Sequence, residues 1–284
     1  MAERLFEIVA QIQNVQQLGA VVTAMRGIAA SRAQKGRSLL AGIEAYTDVI
    51  SRAIGEALDW LPTDVAAPPR AGHSKRGLIL FCAEQGFAGA FSERVFEAAA
   101  SDLAAATSMV VGTRGAALAS ERGIKFDWSA AMPTRVDGIP SFANQLADVL
   151  YGYLAQGAIT AADILFSRSA PGGGIRIDRH SLLPIDFERF ARRIDGQRPL
   201  TTLGPDVLLE RLAAEYVYGQ LCQAAMHAFV AENEARMVAM MAAKTNTETK
   251  LAALVQRERQ LRQEEITTEI IELAAGAEAS RSAD

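Results

Sequence analysis

The residues best placed for chemistry lie in Glu84-Gln-Gly-Phe-Ala-Gly-Ala-Phe91. This stretch follows an apolar run, Gly77–Ala83, and precedes a helical pattern. A glycine-rich turn between strand and helix can offer backbone N–H groups to a phosphate. The spacing here is Gly86-x-x-Gly89, which is neither G-x-G-x-x-G nor G-x-x-x-x-G-K-[ST], so the stretch reads as a structural turn. Other reactive side chains are scattered. His73, His180 and His227 stand singly, and Cys82 and Cys222 are far apart with no C-x-x-C. Such cysteines read as small buried hydrophobes in a reducing compartment. No Ser/His/Asp set, G-x-S-x-G or H-E-x-x-H occurs. The carboxylates of Glu264 and Glu265 fall on a long helical stretch and read as solvated. The residues therefore point to no catalytic, metal or cofactor site.

The elements that would position these residues are clearer. Half of the 284 residues are hydrophobic, enough for a sizeable core in one or two domains. The net charge of −4 argues against a nucleic-acid binder. The start shows no signal-peptide order, and no run of about 18 apolar residues would span a bilayer. All 9 prolines lie between Pro62 and Pro205. Proline breaks helix interiors, so both ends are free to form very long helices. The second helix starts at Gly204-Pro205-Asp206, with proline in its first turn. Run to about residue 276, it would be roughly 100 Å long at ~1.5 Å per residue and would have to project from any domain. The first, roughly 3–58, carries a seam of Ile8, Ile12, Val15, Leu18, Val22, Met25 and Ala29, spaced by three or four. The two can pack antiparallel as a coiled coil. Gly19, Gly27, Gly36, Gly42 and Gly55 weaken the first helix, through drift rescued by packing or for close approach of a neighbour.

Between the helices, Gly77–Ala83, Ser108–Gly112, Asp163–Ser167 and the alternating Ile175, Ile177 and Arg179 read as strands. Phe91–Ala105, Ala116–Arg122 and Phe142–Gln156 read as helices. This alternation predicts an α/β sheet domain of Rossmann-like type over 76–190. Residues 61–75 read as linker and Pro171–Gly174 as a hairpin loop. The expected organisation is a helix over 1–60, the α/β domain over 76–190 and a helix over 206–278. Met237, Met240 and Met241 read as coiled-coil seam, whereas Lys244–Lys250 has no apolar side chain. Between Glu7 and Glu44 there is no acidic residue, while Arg26, Arg32, Lys35 and Arg37 cluster. That band is either a solvated face or a surface for an acidic partner.

Three blocks resemble the gamma subunit of F-type ATP synthases, possessing the family's motifs in order. Val22-Thr-Ala-Met-Arg-Gly-Ile-Ala-Ala-Ser31 is similar to T-K-A-M-x-x-V-A-A-S, and Gln85–Phe91 to R-G-L-C-G-G-x. On the last helix, Glu232–Met240 resembles S-E-x-A-A-R-M-x-A-M, and Arg262–Gly276 resembles R-Q-x-x-I-T-x-E-L-x-E-I-x-x-G. Leu182-Leu-Pro-Ile185 adds L-L-P-[IL]. The resemblance implies a central rotor shaft without a catalytic site, metal or cofactor of its own. It implies alpha and beta subunits of a catalytic hexamer, an epsilon subunit and a membrane ring of c subunits as partners. It also implies attachment, through the complex, to the cytoplasmic face of a bacterial inner membrane. Residue by residue, Arg262, Gln263, Thr267 and Glu269 match positions that contact beta-subunit loops. Arg236 matches a coupling and contact position lower down, and Met25 and Arg26 match the block facing the acidic beta-subunit lever. Departures point to a divergent branch, an alternative or sodium-type synthase. Thr23 stands for lysine, Gln17–Val21 has lost its polar character, and Glu84-Gln85 replaces Asp-Arg. The competing reading is a nucleotide-binding α/β enzyme with helical arms, using the Gly86–Gly89 loop.

Overall fold

The computed structural model describes residues 2–60, 75–170, 174–190 and 200–281. Most of the expected linker, residues 61–74, and positions 171–173 of the expected hairpin loop lie outside the described residues. The chain divides into two compact units. One holds the residues up to Ile28 with those from Met237 onward, and the other is Ala29–Arg236.

The terminal helices form where proline is absent. Helix α1 spans Ala2–Leu58 and α5 spans Pro205–Arg281. At the start of α5, the Leu208 N–H donates to the Gly204 carbonyl at 3.0 Å, closing the first turn behind Pro205. Between them lie β1 (Arg76–Phe81), α2 (Phe91–Ala99), β2 (Thr107–Val111), α3 (Thr113–Glu121), β3 (Trp128–Ala130), α4 (Ile139–Ala155), β4 (Ala161–Ser169) and β5 (Ile175–Leu183).

The sheet order is β3-β2-β1-β4-β5. The first four strands are parallel and β5 is antiparallel to β4. Strand side chains alternate between faces, and both faces are covered. Ile79, Phe81, Met109, Val111, Ile164 and Phe166 meet α4 and the Val217–Phe229 stretch of α5. Leu78, Leu80, Val110 and Leu165 meet α2 and α3 through Val95, Phe96, Ala99 and Ala119. The middle of α5 is thus part of the sheet domain's core, which explains its long uncharged run. Segment Ala29–Leu58 of α1 packs beside it. A Cβ on Gly36 would meet Val230, and one on Gly219 would meet Thr47. Partners fall along α5 as α1 rises, so the two run antiparallel.

In the other unit, the two helix segments form the expected coil with a shifted seam. Ile12, Val22, Met240 and Leu261 are buried. Leu18, expected in the seam, is 54% exposed, as is Met241. A straight helix drifts against a heptad repeat, and the drift turns Leu18 outward. Within the polar stretch Lys244–Lys250, the Thr247 methyl lies 3.5 Å from where a Gly19 Cβ would be. Gly19 therefore permits close approach, and Thr247 supplies the apolar surface that the stretch otherwise lacks.

Several sequence-derived limits move. The helix expected over 91–105 ends at Ala99, after which Asp102 turns to pair with Arg179 at 2.5 Å. Helix α3 begins at Thr113 rather than Ala116, because a distant carboxylate, Glu84, caps it. Strand β3 was not expected, since three residues are too few to show alternation.

Candidate functional site

The loop after β1 is held from three directions. Glu84 leaves the sheet and accepts from the Thr113 N–H at 2.9 Å, the Thr113 hydroxyl at 2.9 Å and the Met132 N–H at 2.8 Å. The Ala83 N–H donates to the Ser92 hydroxyl at 3.0 Å. From α5, Glu232 accepts the Gln85 N–H at 3.0 Å. Arg236, 5% exposed, closes the arrangement. Its Nε donates to the Gly86 carbonyl at 3.1 Å and its Nη2 to the Gln85 carbonyl at 3.2 Å. Nη2 also meets Glu232 at 2.5 Å, and Nη1 donates to Asn233 at 3.2 Å. Every guanidinium nitrogen has an acceptor, as a buried fork requires.

This arrangement answers the phosphate question raised by the glycines. The loop's Gln85 N–H already holds a carboxylate of the same chain, and two of its carbonyls hold a guanidinium. Ala83, Ala88 and Phe91 pack on Ala231 of α5, so the helix occupies the space beside the loop. Among the described residues no group of His, Cys, Asp or Glu is placed to hold a metal ion. Burial pushes the Cys82 thiol well above its ordinary range, more than the Ser92 hydroxyl lowers it, which favours the neutral thiol.

Between these anchors the loop carries Phe87. Its φ is +62°, the only positive φ of a non-glycine among the described residues, and its side chain is 66% exposed. A left-handed conformation costs a residue with a Cβ about 1–2 kcal/mol. Gly89, with φ +61°, adopts the same region without that cost.

The basic cluster on α1 is mostly satisfied within the chain. Arg32 donates to the Gln85 side chain at 3.2 Å and Lys35 pairs with Asp137 at 3.4 Å. Arg37 donates through Nε to Glu234 at 2.7 Å, and Glu234 also accepts from Ser169. Arg26 and Met25 are half-buried.

The remaining residues singled out in the sequence lie on the outer surface of α5. Arg262, with its side chain 61% exposed, donates to Glu258 at 2.7 Å one turn back. Gln263, Thr267 and Glu269 are exposed, and the Thr267 hydroxyl donates to the Gln263 carbonyl at 2.8 Å. Arg236 is not on that exposed surface: it is buried and holds the Gln85–Gly86 loop. The structure thus joins two of the sequence blocks, Gln85–Phe91 and Glu232–Met240. The roles of Glu84 and Glu232 were not foreseen, and no local pattern announces a pairing across 147 positions.

Comparison with known proteins agrees over nearly the whole chain. A family model described as ATP synthase matches residues 4–279. The ATP synthase gamma chain of Azoarcus sp. (strain BH72) is 26% identical, over 96% of this chain and 98% of its own. That of Streptomyces griseus is 27% identical, over 95% and 93%. In fold, the chain resembles one in the Euglena gracilis mitochondrial ATP synthase OSCP/F1/c-ring structure. The TM-score is 0.68 at 13% identity, covering 99% of this chain and 96% of that one. It also resembles one in the Tetrahymena thermophila mitochondrial ATP synthase central stalk/c-ring structure, with TM-score 0.54 at 16% identity, covering 78% and 99%. With the family model spanning both terminal helices and the sheet between them, the chain belongs to the ATP synthase family, among its gamma chains.

Proposed function

We infer that this chain is the central rotor shaft of an F-type ATP synthase, coupling ion flow through a membrane ring to ATP synthesis or hydrolysis at beta-subunit sites. The observation that carries this reading is the family match across residues 4–279. Three catalytic sites around one asymmetric shaft meet three different faces of it. Each site's conformational equilibrium is then biased differently, and rotation exchanges the biases. A differential contact free energy of about 3 kcal/mol per site shifts a population more than a hundredfold. On this reading the chain contributes contact energy, and no acid, base or nucleophile.

The exposed side chains of Arg262, Gln263, Thr267 and Glu269 are assigned to beta-subunit loops, with Arg262 offering a guanidinium fork to carboxylates or carbonyls. Met25 and Arg26 are assigned to the acidic beta-subunit lever. Arg236 is assigned to holding the Gln85–Gly86 loop. The partners are the alpha and beta subunits, an epsilon subunit and the c ring. No described helix is long and apolar enough to cross a membrane, and attachment to the bacterial inner membrane is assigned to the complex.

Co-expression with alpha and beta subunits of an F-type ATP synthase from the same source tests the reading. A co-purifying hexamer whose ATPase activity depends on this chain supports it. Absence of any complex overturns it. The nucleotide-enzyme alternative is opposed by the Glu232 carboxylate on the loop amide and by α5 beside it. Tight equilibrium binding of ATP or NAD to the isolated chain, lost in Gly86→Val, would restore that alternative.

A further inference from the structure

We propose that a cavity between α1, α4 and α5 binds a small amphiphilic monocation, its apolar body among aliphatic side chains and its positive head against the rings of Tyr46 and Tyr218. The cavity lies wholly within the Ala29–Arg236 unit, and the proposal does not rest on the rotor reading. Its volume of about 510 Å³ is that of a small-molecule site. Leu39, Ile43, Ile139, Pro140 and Met226 make most of its wall apolar. Gly42 keeps it open. That glycine shares a face of α1 with Leu39, Ile43 and Tyr46, and a Cβ there would meet nothing within 4 Å. Glycine weakens a helix, yet no neighbouring side chain claims the space that Gly42 leaves.

The charges at the two ends select the ligand. The Tyr46 and Tyr218 rings stand at 89° with centroids 6.5 Å apart, two walls of a corner. Ring faces attract a cation. The Tyr46 hydroxyl donates to Glu215 at 2.5 Å, which makes its ring more electron-rich. Glu215 lies three positions before Tyr218 on the same face of α5, and among the described residues its carboxylate has this neutral phenol and no ion pair. Burial, then Cys222 and Glu215, pushes the Tyr218 hydroxyl up to about 12. Burial with Glu215 also raises Tyr46 and Tyr151, so the phenols stay neutral beside a negative charge. At the other end Asp137 is matched by both Lys35 and Arg135, each at 3.4 Å. Lys35 and Tyr46 are about 16 Å apart along α1. The Lys35 end repels a positive head, and the unpaired Glu215 carboxylate draws it to the two rings.

The test is calorimetric titration of the full chain with octyltrimethylammonium below its micellar range, beside octanol and octanoate, with melting temperatures read in parallel. One equivalent of the cation should bind and raise the melting temperature. Octanol should bind about three- to thirtyfold more weakly, for want of the cation–ring attraction, and octanoate more weakly still. Gly42→Leu fills the cavity with a better helix former, so the chain should melt at the same temperature or higher and bind neither cation nor octanol. Glu215→Gln can still accept from Tyr46, and should weaken the cation about three- to tenfold while leaving octanol unchanged. Tyr46→Leu should shrink the preference for cation over octanol at least about threefold.

No binding of the cation overturns the proposal. Equal affinity for cation and octanol would leave only an apolar crevice, and tighter octanoate would give the site to anions; either overturns it. So does undiminished cation binding by Gly42→Leu, which would place the ligand elsewhere. If Gly42→Leu melts lower, the cation-to-octanol ratio in Glu215→Gln decides, and an unchanged ratio overturns the proposal. Cation binding lost on assembly with alpha and beta subunits would give the cavity to another subunit, and self-association abolished by Gly42→Leu would give it to a second copy; both outcomes overturn it.

Discussion

At the residue scale, Arg236 and Glu232 are buried charges one helical turn apart, and each is satisfied by the other and by the β1–α2 loop. Removing one member of such a group leaves an uncompensated charge indoors. Arg236→Met is expected to destabilise the Ala29–Arg236 unit by about 3 kcal/mol, measured by urea denaturation of the isolated chain. Glu232→Gln should cost less, because an amide oxygen can still accept from the Gln85 N–H. An Arg236→Met variant as stable as the parent would show that the loop is held by packing alone. His227 gives a second prediction. It is stacked on Phe166 at 5.7 Å with its Nε2 unpartnered, 4.0 Å from a Glu44 oxygen. Burial, then the Arg168 and His180 charges, lowers its pKa from 6.5 to about 4 against the pull of Asp178. Above pH 6.5 both folded and unfolded forms are neutral, and the group contributes nothing to pH dependence. Below it the unfolded chain takes up a proton that the folded chain refuses, so stability falls until about pH 4. Glu44 and Arg168 are partly exposed, which screens the site and limits the loss to about 2 kcal/mol. Denaturation midpoints of the parent and His227→Phe between pH 7 and pH 4 should diverge in that window; parallel curves would refute the assignment.

At the element scale, the glycines of α1 separate into two kinds that the sequence left undivided. An added Cβ at Gly36 would lie 2.6 Å from Val230 Cγ2, 3.4 Å from Phe229 and 3.6 Å from the Met226 sulfur. Valine on a helix has one strongly preferred rotamer, so the clash is not easily relieved by rotation. At Gly27 the same atom meets nothing within 4 Å. Gly36→Ala should therefore destabilise by about 1–3 kcal/mol through overpacking, despite alanine's better helix propensity. Gly27→Ala should stabilise by up to about 1 kcal/mol. Opposite shifts in thermal midpoint for the two variants are the expected result. A stabilising Gly36→Ala would mean that α1 and α5 do not approach closely there. The helices themselves were legible because proline is confined to the middle of the chain and apolar side chains recur every three or four residues. The strands were legible as short apolar runs. Strand β3 and the early start of α3 were not, because one depends on pairing with Met109–Val111 and the other on a carboxylate 29 positions away.

At the scale of the whole molecule, the sequence carried the architecture further than the site. Long uninterrupted helices need only local information, whereas Glu232 meets Gln85 through tertiary folding that no spacing rule encodes. The proposed contact residues were reachable only through resemblance, since Arg262, Gln263, Thr267 and Glu269 are exposed side chains that the chain's own stability does not require. That property makes them testable. Arg262 touches Glu258 in a surface pair of a type worth about 0.3–0.5 kcal/mol, so the isolated chain should barely notice its removal. Arg262→Ala is expected to keep the parent's melting temperature within about 1 °C while weakening hexamer assembly or coupling. The measurement is ATP-driven ion pumping per ATP hydrolysed in reconstituted vesicles, set beside the yield of assembled complex. Arg262→Lys should restore charge without the two-pronged geometry, and so recover only part of the loss. Full coupling and full assembly in Arg262→Ala would remove this residue from the interface and leave the grip on beta to its neighbours on α5.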